Sequence, residues 1–234
     1  MKINHSQLKK TILVVAAHPD DEVLGCGGTI SKLSKKNTVH TLFMTNGISA
    51  RNYKNDKIKN DEIKKRRKAA EKSCKILGSE VPIFLDFPDN AMDTFSILEI
   101  TKKIENVFRK INPEIVFTHK NSDLNIDHQL TNRAVMTAAR PLKKSSIKQV
   151  LFFEILSSSE WNFTGNNNLN HDLNWFEDIS ETIKTKIRAI KVYDSELKKW
   201  PHPRSIEGIT TLAKNRGSTV GYYYAESFTL GYKR

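Results

Sequence analysis

Thr11 to Ile30 reads TILVVAAHPDDEVLGCGGTI, and the parsing of this stretch decides the fold. Ile12 to Ala17 is an unbroken apolar run with β-branched residues and no alternation of polar and apolar positions. Strands of that composition are covered on both faces, as in a mainly parallel sheet between layers of helices. The run ends in His18-Pro19-Asp20-Asp21-Glu22, four ionisable groups in five residues, before Gly25, Gly27, Gly28 and a helix-like segment. A strand that delivers charge at its C-terminal end and then feeds a helix is where open α/β sheets keep their sites. The glycines do not fit the dinucleotide fingerprint G-x-G-x-x-G, and close packing of helix on sheet explains them better.

The same grammar recurs downstream. Further strands are predicted at 38–45, 82–87, 114–119 and 149–156, and helices at about 26–36, 57–77, 95–111 and 127–140. Asp93-Thr94 would cap the third helix, and Gly78 would end the second in a left-handed turn. In that second helix Ile63, Ala70, Cys74 and Leu77 form one apolar stripe, which makes Cys74 a core residue. This alternation implies a doubly wound α/β fold with right-handed crossovers. After residue 156 the pattern loosens into a polar, Asn-rich, aromatic segment expected to be a loop or lid over about 157–178. Helices at about 179–193 and 206–215 follow, the last ended by Arg216-Gly217, then a strand or extended tail from Tyr222 to Tyr232. With no linker in 234 residues, a single domain over 1–234 is expected.

Composition narrows the class. Hydrophobic residues make up 38%, mean hydropathy is −0.50, and no apolar run is long enough for a membrane span. The start, MKINHSQLKK, lacks the apolar core of a signal peptide, and two cysteines do not make a disulfide framework. A cytoplasmic protein is expected. The net charge is +12, and residues 51–75 hold 11 Lys/Arg against 4 Asp/Glu. A solvated helix face accounts for that charge, as does an anionic small-molecule partner. Nucleic-acid binding is not expected, because no recognition motif or aromatic interleaving accompanies it.

The chemistry gathers at two strand ends. His and carboxylate ligands suit Zn²⁺ or a similar divalent ion, and a catalytic site keeps three protein ligands and one open position. The first stretch supplies one His and one Asp and leaves a neighbouring carboxylate free. The third ligand must come from elsewhere, and His119-Lys120-Asn121-Ser122-Asp123-Leu124-Asn125-Ile126-Asp127-His128 sits at the matching end of the fourth strand. His18, Asp21 and His128 would make such a site. The plainer alternative is that Asp20 or Asp21 only caps the next helix.

AAHPDDEVLGCGGTI resembles the signature of the LmbE-like, or PIG-L, family of zinc-dependent N-deacetylases. THKNSDLNIDHQLTNRAV resembles that family's downstream Asp-His element, and HPRSIEGITTLAKNRGSTVGYYYAESF resembles its tail. The resemblance implies a Rossmann-like, three-layer α/β/α fold with a mainly parallel sheet. It implies Zn²⁺, with Fe²⁺ as the alternative, held by His18, Asp21 and His128, with Asp20 as general base. It also implies a small N-acetylated sugar or sugar conjugate as substrate, with the amide split into acetate and a free amine. The basic stretch favours a phosphate- or nucleotide-linked conjugate. Family members often assemble, so a homo-oligomer is compatible with the resemblance. Arg66 resembles a helix Arg that touches substrate, with Arg67 as the neighbouring register. Asp89, after the third strand, is expected to bind a sugar hydroxyl or to serve as a turn residue.

The sequence departs from the family pattern at one place. Many members carry a His three residues before the metal-binding His, and here that position is Asn125. Asn donates a hydrogen bond but carries no titratable proton. Asn125 then serves as a neutral donor or positions Asp127-His128, or His202 or His119 supplies the imidazole. Asp127 is expected to orient its neighbours. The departure keeps alive a metal-dependent hydratase on the same fold. A non-catalytic anion-binding scaffold is the third reading.

Overall fold

The computed structural model describes residues 9–163 and 173–234. Among these residues seven strands form one sheet: β1 (Thr11–Ala16), β2 (Thr38–Thr45), β3 (Ile83–Phe87), β4 (Ile115–His119), β5 (Gln149–Phe153), β6 (Trp175–Asp178) and β7 (Ala225–Lys233). Their spatial order is β3-β2-β1-β4-β5-β7-β6. The first five are mutually parallel, and β7 and β6 complete the sheet in antiparallel fashion. The order reverses at β1, which pairs with β2 on one side and β4 on the other. That reversal opens a crevice beyond the C-terminal ends of β1 and β4, the place where an α/β sheet binds ligands.

Among the described residues, six α-helices cover the sheet: α1 (Asp21–Leu33), α2 (Asp56–Leu77), α3 (Ile97–Ile111), α4 (Ile126–Ala138), α5 (Ile183–Ile190) and α6 (Ile206–Val220). Alternate β1 residues face opposite layers. Ile12, Val14 and Ala16 pack with Leu24 and Ile30 of α1, Ala70 and Leu77 of α2, Ile190 of α5 and Ile209 of α6. Leu13 and Val15 pack with Ile100 and Ile104 of α3 and Ala134 and Val135 of α4. The three-layer arrangement expected from the apolar runs is therefore present. Each large aliphatic side chain buried in these layers contributes about 1.5–3 kcal/mol relative to exposure. Among the described residues no helix is long and apolar enough to cross a membrane.

Several boundaries differ from the sequence reading, each for a packing reason. Helix α1 starts at Asp21, ahead of the glycines, and kinks at Cys26 (φ −148°, ψ 25°). A Cβ at Gly25 would lie 2.5 Å from the Phe153 ring, and one at Gly28 would lie 2.8 Å from Ile179. The glycines thus let α1 lie against the sheet instead of delaying its start. The kink frees Gly28 N and Thr29 N, which donate to Glu226 of β7 at 2.9 and 2.7 Å. Lys186 of α5 joins them, donating to Glu226 at 2.6 Å and to Leu24 O at 2.8 Å. Ser96 and Glu99, not Asp93-Thr94, form the cap of α3. Helix α6 runs through Gly217, where a Cβ would meet Tyr222 O at 2.6 Å, and ends at the left-handed Gly221 (φ 81°). The segment expected to be a lid is partly structural: Ser158 and Ser159 are buried, and Trp175–Asp178 forms the edge strand β6. Residues 164–172 of that expectation lie outside the described residues.

Candidate metal centre and active-site pocket

The crevice at the ends of β1 and β4 gathers His18, Asp21 and His128. Three of their atoms form a nearly equilateral triangle: His18 Nδ1 to Asp21 Oδ2 is 3.1 Å, His18 Nδ1 to His128 Nε2 is 3.1 Å, and His128 Nε2 to Asp21 Oδ2 is 3.2 Å. Donors about 2.0–2.1 Å from a tetrahedral zinc are separated by roughly 3.3 Å, close to these edges. The other nitrogen of each imidazole faces a carboxylate. His18 Nε2 faces Asp127 Oδ2 at 3.1 Å and Asp89 Oδ1 at 3.2 Å, and His128 Nδ1 faces Asp123 Oδ1 at 3.0 Å. Those partners assign the ring protons to Nε2 of His18 and Nδ1 of His128. Two nitrogen lone pairs and a carboxylate oxygen are then left facing one another, an arrangement that calls for a cation between them. Asp21 Oδ1 is buried without a hydrogen-bond partner among the described residues, so this carboxylate also has capacity to spare. The residues fit a divalent ion.

A second grouping, His18, Asp89 and Asp127, shares the ring of His18. It fits an ion less well, because Asp127 is already satisfied. Its carboxylate accepts from Asn90 N at 2.7 Å, from Met92 N at 3.2 Å and from His18. Asp127 thereby orients the His18 ring, much as Asp123 orients His128. Asp123 in turn accepts from the hydroxyls of Ser158 and Ser159.

The protonation tendencies follow from this crowding. Burial pulls His18 down, but hydrogen bonds to Asp127, Asp21 and Asp89 outweigh it and hold the ring well above its usual value. His128 is raised to about 8 against burial by Asp21 and Asp123. Burial alone would raise Asp21, yet His128 and His119 keep it well below the usual carboxylate range. His119 goes the other way: burial and the neighbouring His128 hold it neutral, well below its usual value. Its Nε2 accepts from Ala17 N at 2.8 Å and its ring stacks on His128 at 4.0 Å, so it braces the end of β1.

Asp20 stands at the N-cap of α1 with φ 134°, outside the region non-glycine residues favour, and its side chain makes no capping bond. Glu22 compensates. Its Oε2 accepts from Asp20 N at 3.0 Å, while its Oε1 accepts from Tyr193 Oη at 2.7 Å and Ser73 Oγ at 2.8 Å. Burial pushes Glu22 up to about 7. The Asp20 carboxylate is thus aimed into the pocket, where Arg204 Nη1 donates to its Oδ2 at 3.2 Å. Burial pushes Asp20 up to about 6, against the pull of Arg204 and Arg66.

These groups open onto a cavity of about 230 Å³ whose wall includes His18, Asp20, Arg66, Asp89, Asn125 and Arg204. Arg66 is buried and donates to Pro19 O at 3.0 Å and to Glu196, which also accepts from Arg51 at 2.7 Å. Arg67 turns away, pairs with Asp86 and lies over Phe84, so of the two it is Arg66 that stands on the cavity wall. Asn125 is the N-cap of α4: its Oδ1 accepts from Asp127 N at 2.8 Å and its Nδ2 donates to Asn90 Oδ1 at 3.0 Å. His202 is not part of the cavity wall. Its Nδ1 accepts from Arg204 N at 3.0 Å and its ring meets Trp161 edge-on, so the Trp200–Ser205 segment presents Arg204 to the cavity in its place. The sequence singles out that segment but not Arg204 within it, and nothing local marks Glu196 at all.

A model of the PIG-L family, described as GlcNAc-PI de-N-acetylase, matches residues 13–139. The diacetylchitobiose deacetylase of Thermococcus kodakarensis is 29% identical over 227 residues, covering 93% of this chain and 81% of that protein. The N,N'-diacetylchitobiose deacetylase of Pyrococcus horikoshii superposes with a TM-score of 0.75 at 24% identity, covering 94% of this chain and 83% of that one. GalB of Pseudomonas putida, a 4-carboxy-2-hydroxymuconate hydratase, superposes with a TM-score of 0.73 at 23% identity, covering 96% of this chain and 97% of that one. The matched region spans more than half of the chain and contains His18, Asp20, Asp21 and His128, and the chain belongs to the PIG-L family.

Proposed function

We propose that this chain is a divalent-metal-dependent N-deacetylase that hydrolyses the acetamide of an N-acetyl amino sugar or its conjugate. The observation that carries this reading is the triangle of His18, Asp21 and His128 with the unligated carboxylate of Asp20 beside it. Deacetylation is also the activity named for the relatives in Thermococcus and Pyrococcus. Zn²⁺ is the proposed ion, with Fe²⁺ the alternative; when bound it supplies Lewis-acid polarisation of the carbonyl and acidifies the attacking water. Asp20 takes the proton from that water and later returns it to the departing amine. Asp127 and Asp123 keep the rings of His18 and His128 in the tautomers that leave Nδ1 and Nε2 free. Asn125 holds the first turn of α4, and thereby His128, in place. Arg66 and Asp89 are the proposed substrate contacts, because both face the cavity.

A groove of about 390 Å³ between α2 and the chain after α5 adjoins the cavity, shares Arg51 and Arg66 with it and is lined by Lys65, Lys68, Lys72 and Lys191. This charge favours a conjugate carrying phosphate or another anion. Both cysteines are free and buried, in keeping with a reducing compartment such as the cytoplasm. The test is acetate release from a panel of N-acetyl sugars, neutral and phosphorylated, with and without added Zn²⁺. Metal-dependent release supports the proposal, and preference for the phosphorylated members supports its anionic form. Water addition to an unsaturated acid, with no acetate from any amide, turns the reading to a hydratase. A folded chain that binds no divalent ion turns it to a scaffold.

A further inference from the structure

Hydrolysis of an amide places negative charge on the former carbonyl oxygen, and the site needs a hydrogen-bond donor aimed at that oxygen. The donors on the cavity wall differ in how far they are committed. The charge of Arg66 is absorbed by Glu196, which also takes Arg51. Asn125 is neutral and spends its amide on Asn90. Arg204 is different. Its Nε donates to Leu156 O at 3.2 Å and to Ser157 Oγ at 2.7 Å, which fixes the plane of the guanidinium. Its Nη1 donates to Asp20 Oδ2 at 3.2 Å, and its Nη2 makes no hydrogen bond among the described residues. Glu196 stands farther off, at 4.0 Å. The side chain is 20% exposed, on a cavity wall shared with His18 and Asp20.

We propose that Arg204 is a catalytic residue, whose Nη2 donates to the carbonyl oxygen as negative charge builds on it. The inference rests on the deacetylase reading. Before reaction, the Arg204 cation balances the Asp20 carboxylate. As water attacks, its O–H bond breaks, the proton goes to Asp20, a C–O bond forms and the carbonyl π pair moves onto oxygen. Asp20 is then neutral, and its former counter-ion faces the new oxyanion with its open N–H. On collapse the oxyanion pair re-forms the C=O bond, the C–N bond breaks, and nitrogen takes the bonding pair and the Asp20 proton. The second water proton passes from the nascent acetic acid to the amine, and the Asp20–Arg204 pair re-forms beside acetate and an ammonium group. One guanidinium serves both the base and the oxyanion, so neither charge is unbalanced during the cycle.

The experiment compares Arg204→Ala, Arg204→Lys and the wild type for kcat, KM, bound metal and thermal unfolding, using the panel amide on which the wild type is most active. The expected result is a loss of roughly 10²–10³ in kcat for Arg204→Ala, the scale of removing one oxyanion donor. KM should change little and bound metal should stay as in the wild type. Added guanidinium ion should restore part of that kcat and give nothing back to Asp20→Asn. Arg204→Lys keeps the charge but not the fork, and should lose at least about tenfold in kcat; it decides the question if Arg204→Ala does not fold. Wild-type kcat in the folded variants, a loss confined to KM, or no response to guanidinium overturns the proposal. A wild type that releases no acetate from any panel amide removes the deacetylase reading itself, and Arg204's role with it.

Discussion

The cavity has two walls built in different ways. One wall is made where β1 and β4 end, and there His18, Asp21 and His128 stand 3.1–3.2 Å apart, each oriented by a buried carboxylate or backbone group. The other is made by Tyr193 to Arg204, a strap whose side chains meet the first wall and α2: Tyr193 to Glu22, Arg204 to Asp20, and Glu196 to Arg66 of α2. The first wall is fixed by strand pairing and tolerates little change. The second tunes the first, and its outer member Glu196, with the Arg51 that pairs with it, is partly exposed. Loss of the first wall should therefore abolish the chemistry, and loss of the second should grade it.

The largest expected effect is on the first wall. Chelation should bring acetate release to background and added Zn²⁺ should restore it, whereas His128→Ala should lose both bound ion and turnover irreversibly. If a chelated chain keeps full turnover, the walls do not differ as described. Next comes the joint between them, Glu22. Its replacement by Ala leaves Asp20 N, Tyr193 Oη and Ser73 Oγ without their acceptor, and a buried donor left unpaired costs about 1–3 kcal/mol. Denaturant unfolding should show that loss for Glu22→Ala, with kcat reduced as Asp20 loses its backbone anchor. Glu22→Gln, which keeps an acceptor, should recover most of both.

The smallest expected effect is on the outer strap. Glu196 raises the pKa of Asp20, so Glu196→Gln stabilises the Asp20 carboxylate. A base must be ionised to act, so the acid limb of kcat/KM should move to lower pH, with a few-fold change in KM as Arg51 and Arg66 lose their shared partner. A pH–rate profile that moves the other way would show that Glu196 does not act on Asp20.

The same two walls explain what the sequence could and could not disclose. The apolar runs of β1 and β4 are local, and parallel pairing brings their C-terminal ends to one edge, so the stretches holding His18, Asp20, Asp21 and His128 can be matched from the order of residues alone. The strap cannot be placed in that way. Arg204 and Asp20 are 184 positions apart, and Glu196 and Arg66 are 130 apart, distances no periodicity spans. His202 draws attention because its imidazole is a familiar acid, yet Arg204 two residues on is the one on the cavity wall. The early start of α1 is also hidden. The sequence expects close packing at its three glycines, but only the fold shows that Gly25 and Gly28 make room for Phe153 and Ile179 inside a helix that has already begun.

The central claim is that Asp20 and Asp21, adjacent in the chain, have separate duties: Asp21 holds the ion and Asp20 handles the proton. Metal content per chain, measured beside acetate release for Asp20→Asn and Asp21→Asn, tests it most directly. Asp20→Asn should bind as much metal as the wild type and lose about 10²–10⁴ in kcat, the scale of a general base. Asp21→Asn should lose the metal. An Asp20→Asn chain without metal, beside an Asp21→Asn chain that keeps it, would contradict the account.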